Sequence, residues 1–106
     1  MTVLRVCYKH GVRFDESYYI SKHLPLVGGI LGAAVRNIEV VKLTSAGDGS
    51  TPPFQVMFSA YFDSPAALQN ARQNPRMPEV LADVQNFYDG MPELLIGEVV
   101  ALPSPA

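Results

Sequence analysis

Charge is what this sequence has least of. Only 17% of its 106 residues are Asp, Glu, Lys or Arg, against roughly a quarter in an average soluble domain. The eight basic side chains are scattered and the formal net charge is −2. No basic stripe marks a nucleic-acid or anionic membrane surface, so neither partner is expected. Cysteine occurs once, as Cys7, which excludes an internal disulfide and any zinc site built from several thiolates. A lone thiol fits a reducing compartment. Long apolar runs are missing too. The longest, residues 24–35, holds Pro25 and three glycines and is too short and too broken to cross a bilayer. No signal-peptide pattern opens the chain, so a soluble cytoplasmic protein is expected.

What is present is apolar: 48% of the residues are hydrophobic, in a length that suits one domain and not two with separate cores. Much apolar matter with little charge implies a surface covered by another subunit, or an apolar pocket. Composition does not choose between them.

Thr2 to Lys9 is rich in β-branched and aromatic residues, with Leu4, Val6 and Tyr8 on one side, and predicts a strand. Asp15 then caps a helix, with Phe14 stapled against Tyr19. Tyr19, Ile20, His23, Leu24 and Val27 keep the helical period. Pro25 cannot donate to the carbonyl of Ser21, which predicts a kink or stop. Gly28, Gly29 and Gly32 read as a flexible connection. Val35 to Thr44 is a second strand, and Ser45 to Pro53 is a surface loop. Phe54 to Phe62 alternates strictly, with Phe54, Val56, Phe58, Ala60 and Phe62 on one face, and makes the third strand.

Asp63 or Ser64 caps a second helix that opens on Pro65 and runs to about Asn74. Pro78 begins a further helical turn, whose stripe of Val80, Leu81, Val84 and Phe87 stops at Asp89 and Gly90. Leu94 to Leu102 is the last strand, and Pro103 to Ala106 is a fraying tail. The order is β, α, β, β, α, β within one domain, residues 1–106. The fold class is α+β, in the ferredoxin-like split arrangement. A four-stranded antiparallel sheet then carries both helices on one face and leaves the other bare. Met57, Tyr61 and Cys7 make that bare face too apolar for water, which predicts a homodimer packed sheet to sheet.

For chemistry, Tyr19 and His23 are four apart and share a helix face, where a phenol and an imidazole could share a proton. Tyr18 points about 100° away. His23 is the candidate general acid/base, with Tyr19 orienting it. A structural alternative stands beside this one: His23 bonds a carbonyl freed by Pro25. Phe58, Tyr61, Phe87 and Tyr88 read as core aromatics that become walls if a pocket exists between helices and sheet. His10 reads as a solvated turn residue. His10 and His23, with no cysteine cluster, have no metal-ligand spacing. The GGILG run follows a helix rather than a strand, so it is not a dinucleotide loop. No serine sits in a nucleophile elbow, and Cys7 shows no sign of thiolate activation.

The segments FDESYYISKHLPLV, FSAYFDSPAALQNA and VLADVQNFYDGMPELLIGEV together resemble the EthD family, named for a protein of ethyl tert-butyl ether degradation. The combination YYxxxHxPLV, YFDS and IGEV is distinctive, and the resemblance spans nearly the whole chain. It implies a ferredoxin-like subunit and a dimeric α/β barrel. It carries His23 over as the motif histidine and, with it, Tyr18 and Tyr19. It also implies an association with oxidative degradation and an oxidoreductase-like label. The same barrel hosts cofactor-independent monooxygenases, polyketide cyclases, lactone isomerases and haem-dependent enzymes, so fold restrains chemistry weakly. No motif assigns a cofactor, and the barrel leaves room for haem. Three readings remain: an enzyme acting on a small apolar carbonyl or phenolic compound, a protein that binds and delivers such a ligand, and an auxiliary subunit of a partner oxygenase in a cytochrome system.

Overall fold

The computed structural model describes residues 1–101. Strands β1 (Thr2–Lys9), β2 (Asn37–Lys42), β3 (Phe54–Phe62) and β4 (Glu93–Glu98) form one antiparallel sheet in the order β2-β3-β1-β4. This is the expected α+β, ferredoxin-like arrangement. The helical segments are α1 (Glu16–Tyr18), α2 (Leu24–Leu31), α3 (Pro65–Arg72) and α4 (Met77–Asp83). The expected tail, Pro103 to Ala106, lies outside the described residues.

Strand limits follow pairing rather than composition. β4 ends at Glu98 instead of running on toward Leu102, which lies outside the described residues, because β1, its strand neighbour among them, begins at Thr2 opposite Glu98. One further bond, Val99 N–H to the Met1 carbonyl at 2.8 Å, ends the ladder. β2 likewise stops short of Val35 and Thr44, although Arg36 and Leu43 still donate to Tyr61 and Gln55 of β3.

The first crossover departs from expectation at Pro25. No stop occurs there. Tyr19–His23 forms a π turn in which Leu24 N–H donates to the Tyr19 carbonyl, five residues back. Pro25 then falls in the first turn of α2, at the change of hydrogen-bond register, where the donor it lacks is not needed. Gly28 and Gly29, expected to be a loose connection, are helical. The helix ends only at Gly32, whose φ of 53° and ψ of −132° is strained for any residue with a Cβ. The wide turn keeps Tyr19 and His23 buried and leaves Ile20, expected on the inward stripe, 55% exposed.

The capping residues behave as their chemistry dictates. The Asp15 carboxylate accepts from Tyr18 N–H at 3.1 Å, and Ser64 Oγ accepts from Ala67 N–H at 3.1 Å. Of the two candidate caps before α3, Ser64 is the one used. Phe14 packs on Tyr19 with ring centroids 5.0 Å apart.

The sheet has unlike faces. Val56, Phe58, Ala60 and Phe62 of β3 turn toward the helices and join two contiguous apolar clusters. Met57, Ser59 and Tyr61 point to the helix-free side, where Arg5 lies across the sheet and donates to Ser59 Oγ at 3.0 Å. Val41 and Leu95 are exposed on that same side.

Gly32→Ala should lower stability by about 1–3 kcal/mol, the usual penalty for forcing a Cβ into such a conformation. Gly28→Ala, in a helical position with open space around the added carbon, should be neutral or slightly stabilising. Urea unfolding midpoints of the two variants check the contrast.

Candidate functional site

Between the helices and the inner sheet face lies a cavity of about 230 Å³. Leu4 and Val6 of β1, Phe58 and Phe62 of β3, and Val27 and Leu31 of α2 are among its walls. Four lining residues carry polar groups: Tyr8, Tyr19, His23 and Arg72. Leu81, 65% exposed, and the half-exposed Leu94 mark its mouth. The opening exists because none of the described helices covers the inner side of β4, where Leu94 and Ile96 remain exposed.

His23 is 3% exposed and held by a network reaching it from the second crossover. Its Nδ1 is 2.9 Å from Asp83 Oδ2. The other carboxylate oxygen accepts from the Tyr18 hydroxyl at 2.6 Å and from the Asn86 amide at 3.0 Å. Asn86 also donates to the Tyr18 oxygen at 3.2 Å. The imidazole stacks on Tyr19, with centroids 5.4 Å apart and planes 23° apart, and its other flank meets Phe87 at 4.5 Å. With Nδ1 committed to a carboxylate, Nε2 is the nitrogen available to the cavity.

Burial lowers the His23 pKa, and the hydrogen bond and charge of Asp83 only partly oppose it. The ring is therefore neutral at pH 7, with Nδ1–H donating to Asp83 and Nε2 unprotonated. Burial pushes the Asp83 carboxyl up, but bonds from Tyr18, Asn86 and His23 outweigh it and keep the group below its usual range. Burial raises Tyr8 and Tyr19 far above an ordinary phenol, and the Tyr19 hydroxyl adds to the effect on Tyr8. Both remain neutral donors. Among the described residues, no group of three or more His, Cys, Asp or Glu side chains is placed to hold a metal ion. Burial, then Glu93, raises the Cys7 thiol, with Arg5 opposing, so no thiolate is available at neutral pH.

The EthD domain model matches residues 13–91. The chain belongs to the EthD family. It is 34% identical to an EthD-like protein of Ralstonia eutropha JMP134 of known crystal structure, over 97% of this chain and 95% of that one, with a TM-score of 0.85. An ethyl tert-butyl ether degradation (EthD) family protein of Bacillus halodurans C-125 is 24% identical over 94% and 99%, with a TM-score of 0.77. The fold extends further. A hydroxynitrile lyase from Passiflora edulis superposes with a TM-score of 0.66 at 13% identity, over 96% of this chain and 97% of that one. No curated protein matches the chain.

Within this EthD domain the expected site residues separate. His23, Tyr19 and Phe58 line the cavity. Phe87 and Tyr18, both expected as pocket residues, do not line it: Phe87 backs the imidazole, and Tyr18 acts on His23 through Asp83. Tyr61, expected as a pocket wall, is on the helix-free sheet face, paired with Val3 and Asn37. Strict alternation puts it opposite Phe58 and Phe62. Tyr19 and His23 meet face to face rather than through a shared proton, and His23 bonds a carboxylate rather than a carbonyl freed by Pro25. Sequence reasoning missed Asp83, Asn86 and Tyr8. Asp83 was detectable: it falls three residues after Val80 and four before Phe87, which places a carboxylate on an apolar stripe, where it needs a partner.

No helix among the described residues is long and apolar enough to cross a membrane.

Because folding lowers the His23 pKa, the folded chain binds this proton less readily than the unfolded one. The resulting stability is complete above the ordinary value of 6.5 and is lost as pH falls through the lowered one. NMR titration of the imidazole should give a midpoint below 6.5. In Asp83→Asn the midpoint should fall further, since both influences opposing burial are gone. A rise in that variant would contradict the assignment.

Proposed function

We propose that this EthD domain is an acid/base enzyme for a small, largely apolar carbonyl or phenolic compound, working by proton transfer without a tightly held cofactor. The observation that carries the reading is the buried His23, paired with the partly buried Asp83, which directs an unprotonated Nε2 to an apolar cavity. A substrate C–H or O–H beside Nε2 would lose its proton to the ring, and Asp83 would stabilise the imidazolium formed. The electron pair left behind would delocalise onto the substrate oxygen, where the neutral phenol of Tyr19 would donate a hydrogen bond. Return of the proton at another carbon completes an isomerisation, whereas attack of that electron pair on a second carbonyl carbon of the same molecule, whose oxygen then takes the proton, completes a cyclisation. Tyr18 and Asn86 act as positioning residues through Asp83. Apolar walls keep water from competing for the proton.

The domain is further read as a cytoplasmic homodimer, two copies joined through the helix-free sheet faces. The exposed Val41 and Leu95 flanking that face support this pairing. A second reading, binding and delivery of an apolar ligand to a partner oxygenase, is favoured by how few polar groups face the cavity. It requires no proton shuttle.

His23→Ala should reduce turnover by roughly 10²- to 10⁴-fold, the usual share of general acid/base catalysis, with the far-UV circular dichroism spectrum unchanged. Ligand binding that survives this change, with no product formed by the unaltered chain from any bound compound, would favour delivery. Light scattering at micromolar concentration should give a dimer mass, and Leu95→Asp should give a monomer.

A further inference from the structure

Among the described residues Arg72 is the one charged side chain on the cavity wall, and no carboxylate lines that cavity. It occupies the last turn of α3, whose buried Leu68 and Ala71 face the same space. It is exposed, and it also borders the adjoining open groove beside Thr2, Ile96 and Glu98. Its place is therefore the rim. Other arginines are engaged: Arg13 with Asp89, Arg36 with Asp63, Arg76 with Glu79, and Arg5 with Ser59. Among the described residues Arg72 has no ion pair. Glu98, the acid in the groove, is already bound by the Thr2 hydroxyl and faces the chain's amino terminus at 3.8 Å.

The inner end of the cavity has the opposite sign. Asp83 stands behind His23 as a carboxylate held ionised by three hydrogen bonds. An anionic head is repelled from that end and drawn to the rim, while an apolar body has the space between. We infer that the ligand is a small apolar carboxylic acid, its carboxylate on the Arg72 guanidinium at the rim and its aromatic or alicyclic body directed toward His23. This rests on the cavity being the ligand site, as read above, and adds the substrate class. A guanidinium suits the task because its fork matches both carboxylate oxygens. With the charge fixed outside, the uncharged reacting end of the molecule meets Nε2 and the phenols.

The test uses two probes of similar size, 2-naphthoate and the neutral 2-acetylnaphthalene, titrated by fluorescence into the unaltered chain, Arg72→Gln and Arg72→Lys. The Gln variant should bind naphthoate about three- to tenfold more weakly, as expected for losing a partly exposed charged hydrogen bond, and acetylnaphthalene with unchanged affinity. The neutral probe thereby reports that the variant is folded. The Lys variant should recover part of the loss, and added salt should weaken naphthoate binding only where the cation is present. Equal naphthoate affinity in the unaltered chain and the Gln variant overturns the proposal and leaves the cavity standing as a ligand site. Failure of both probes to bind the unaltered chain overturns both. The catalytic reading fails separately: selective binding through Arg72 with no turnover of any bound acid supports the carboxylate site while removing the enzyme.

Discussion

A histidine buried to 3% exposure must find a partner within the fold, since an unsatisfied ring nitrogen in an apolar interior costs on the order of 1–3 kcal/mol. His23 finds it in Asp83, sixty residues further along the chain. That bond ties the first crossover to the second, and the other contacts around it follow. Tyr18 and Asn86 complete the carboxylate, Phe87 and Tyr19 enclose the imidazole, and the π turn sets His23 where both can occur. Removing Asp83 would leave the buried imidazole without its partner, which is costlier than an apolar side chain in its place.

The unlike faces of the sheet account for the rest of the molecule. The inner face packs on helices over β1 and β3, and the helices stop short of β4, so the apolar layer opens into a cavity instead of closing into solid core. Polar chemistry is confined to a phenol pair and an imidazole within, and one guanidinium at the rim. The outer face mixes Arg5, Ser59, Glu39 and Glu93 with the apolar Val3, Cys7, Met57, Val41 and Leu95. Scarcity of charge, the first property visible in the sequence, corresponds to this division: little charge is needed where one face encloses an apolar space and the other is only partly polar.

Much of the architecture was legible because it is written in short periods. The alternation of Phe54 to Phe62 assigned both faces of β3, and with them the inward Phe58 and the outward Tyr61, although Tyr61 was nevertheless read as a wall. The caps Asp15 and Ser64 were legible because a side-chain oxygen there meets backbone donors two or three residues away. Pro25 misled for the same reason that made it conspicuous. Its local penalty is real, but a π turn moves the hydrogen-bond register so that the missing donor falls where none is required, and no single-residue rule contains that outcome.

The sequence by itself determined the element order, the inward face of β3, the candidacy of His23 and the membership of a family, since each depends on residues close along the chain or on a motif read directly. Only the tertiary structure decided what His23 does. Its tautomer depends on a carboxylate from the other crossover, its pKa on how completely the helices exclude water, and its access to a ligand on the gap beside β4. Those are long-range packing quantities, set by which surfaces meet, and a local pattern of residues does not encode them.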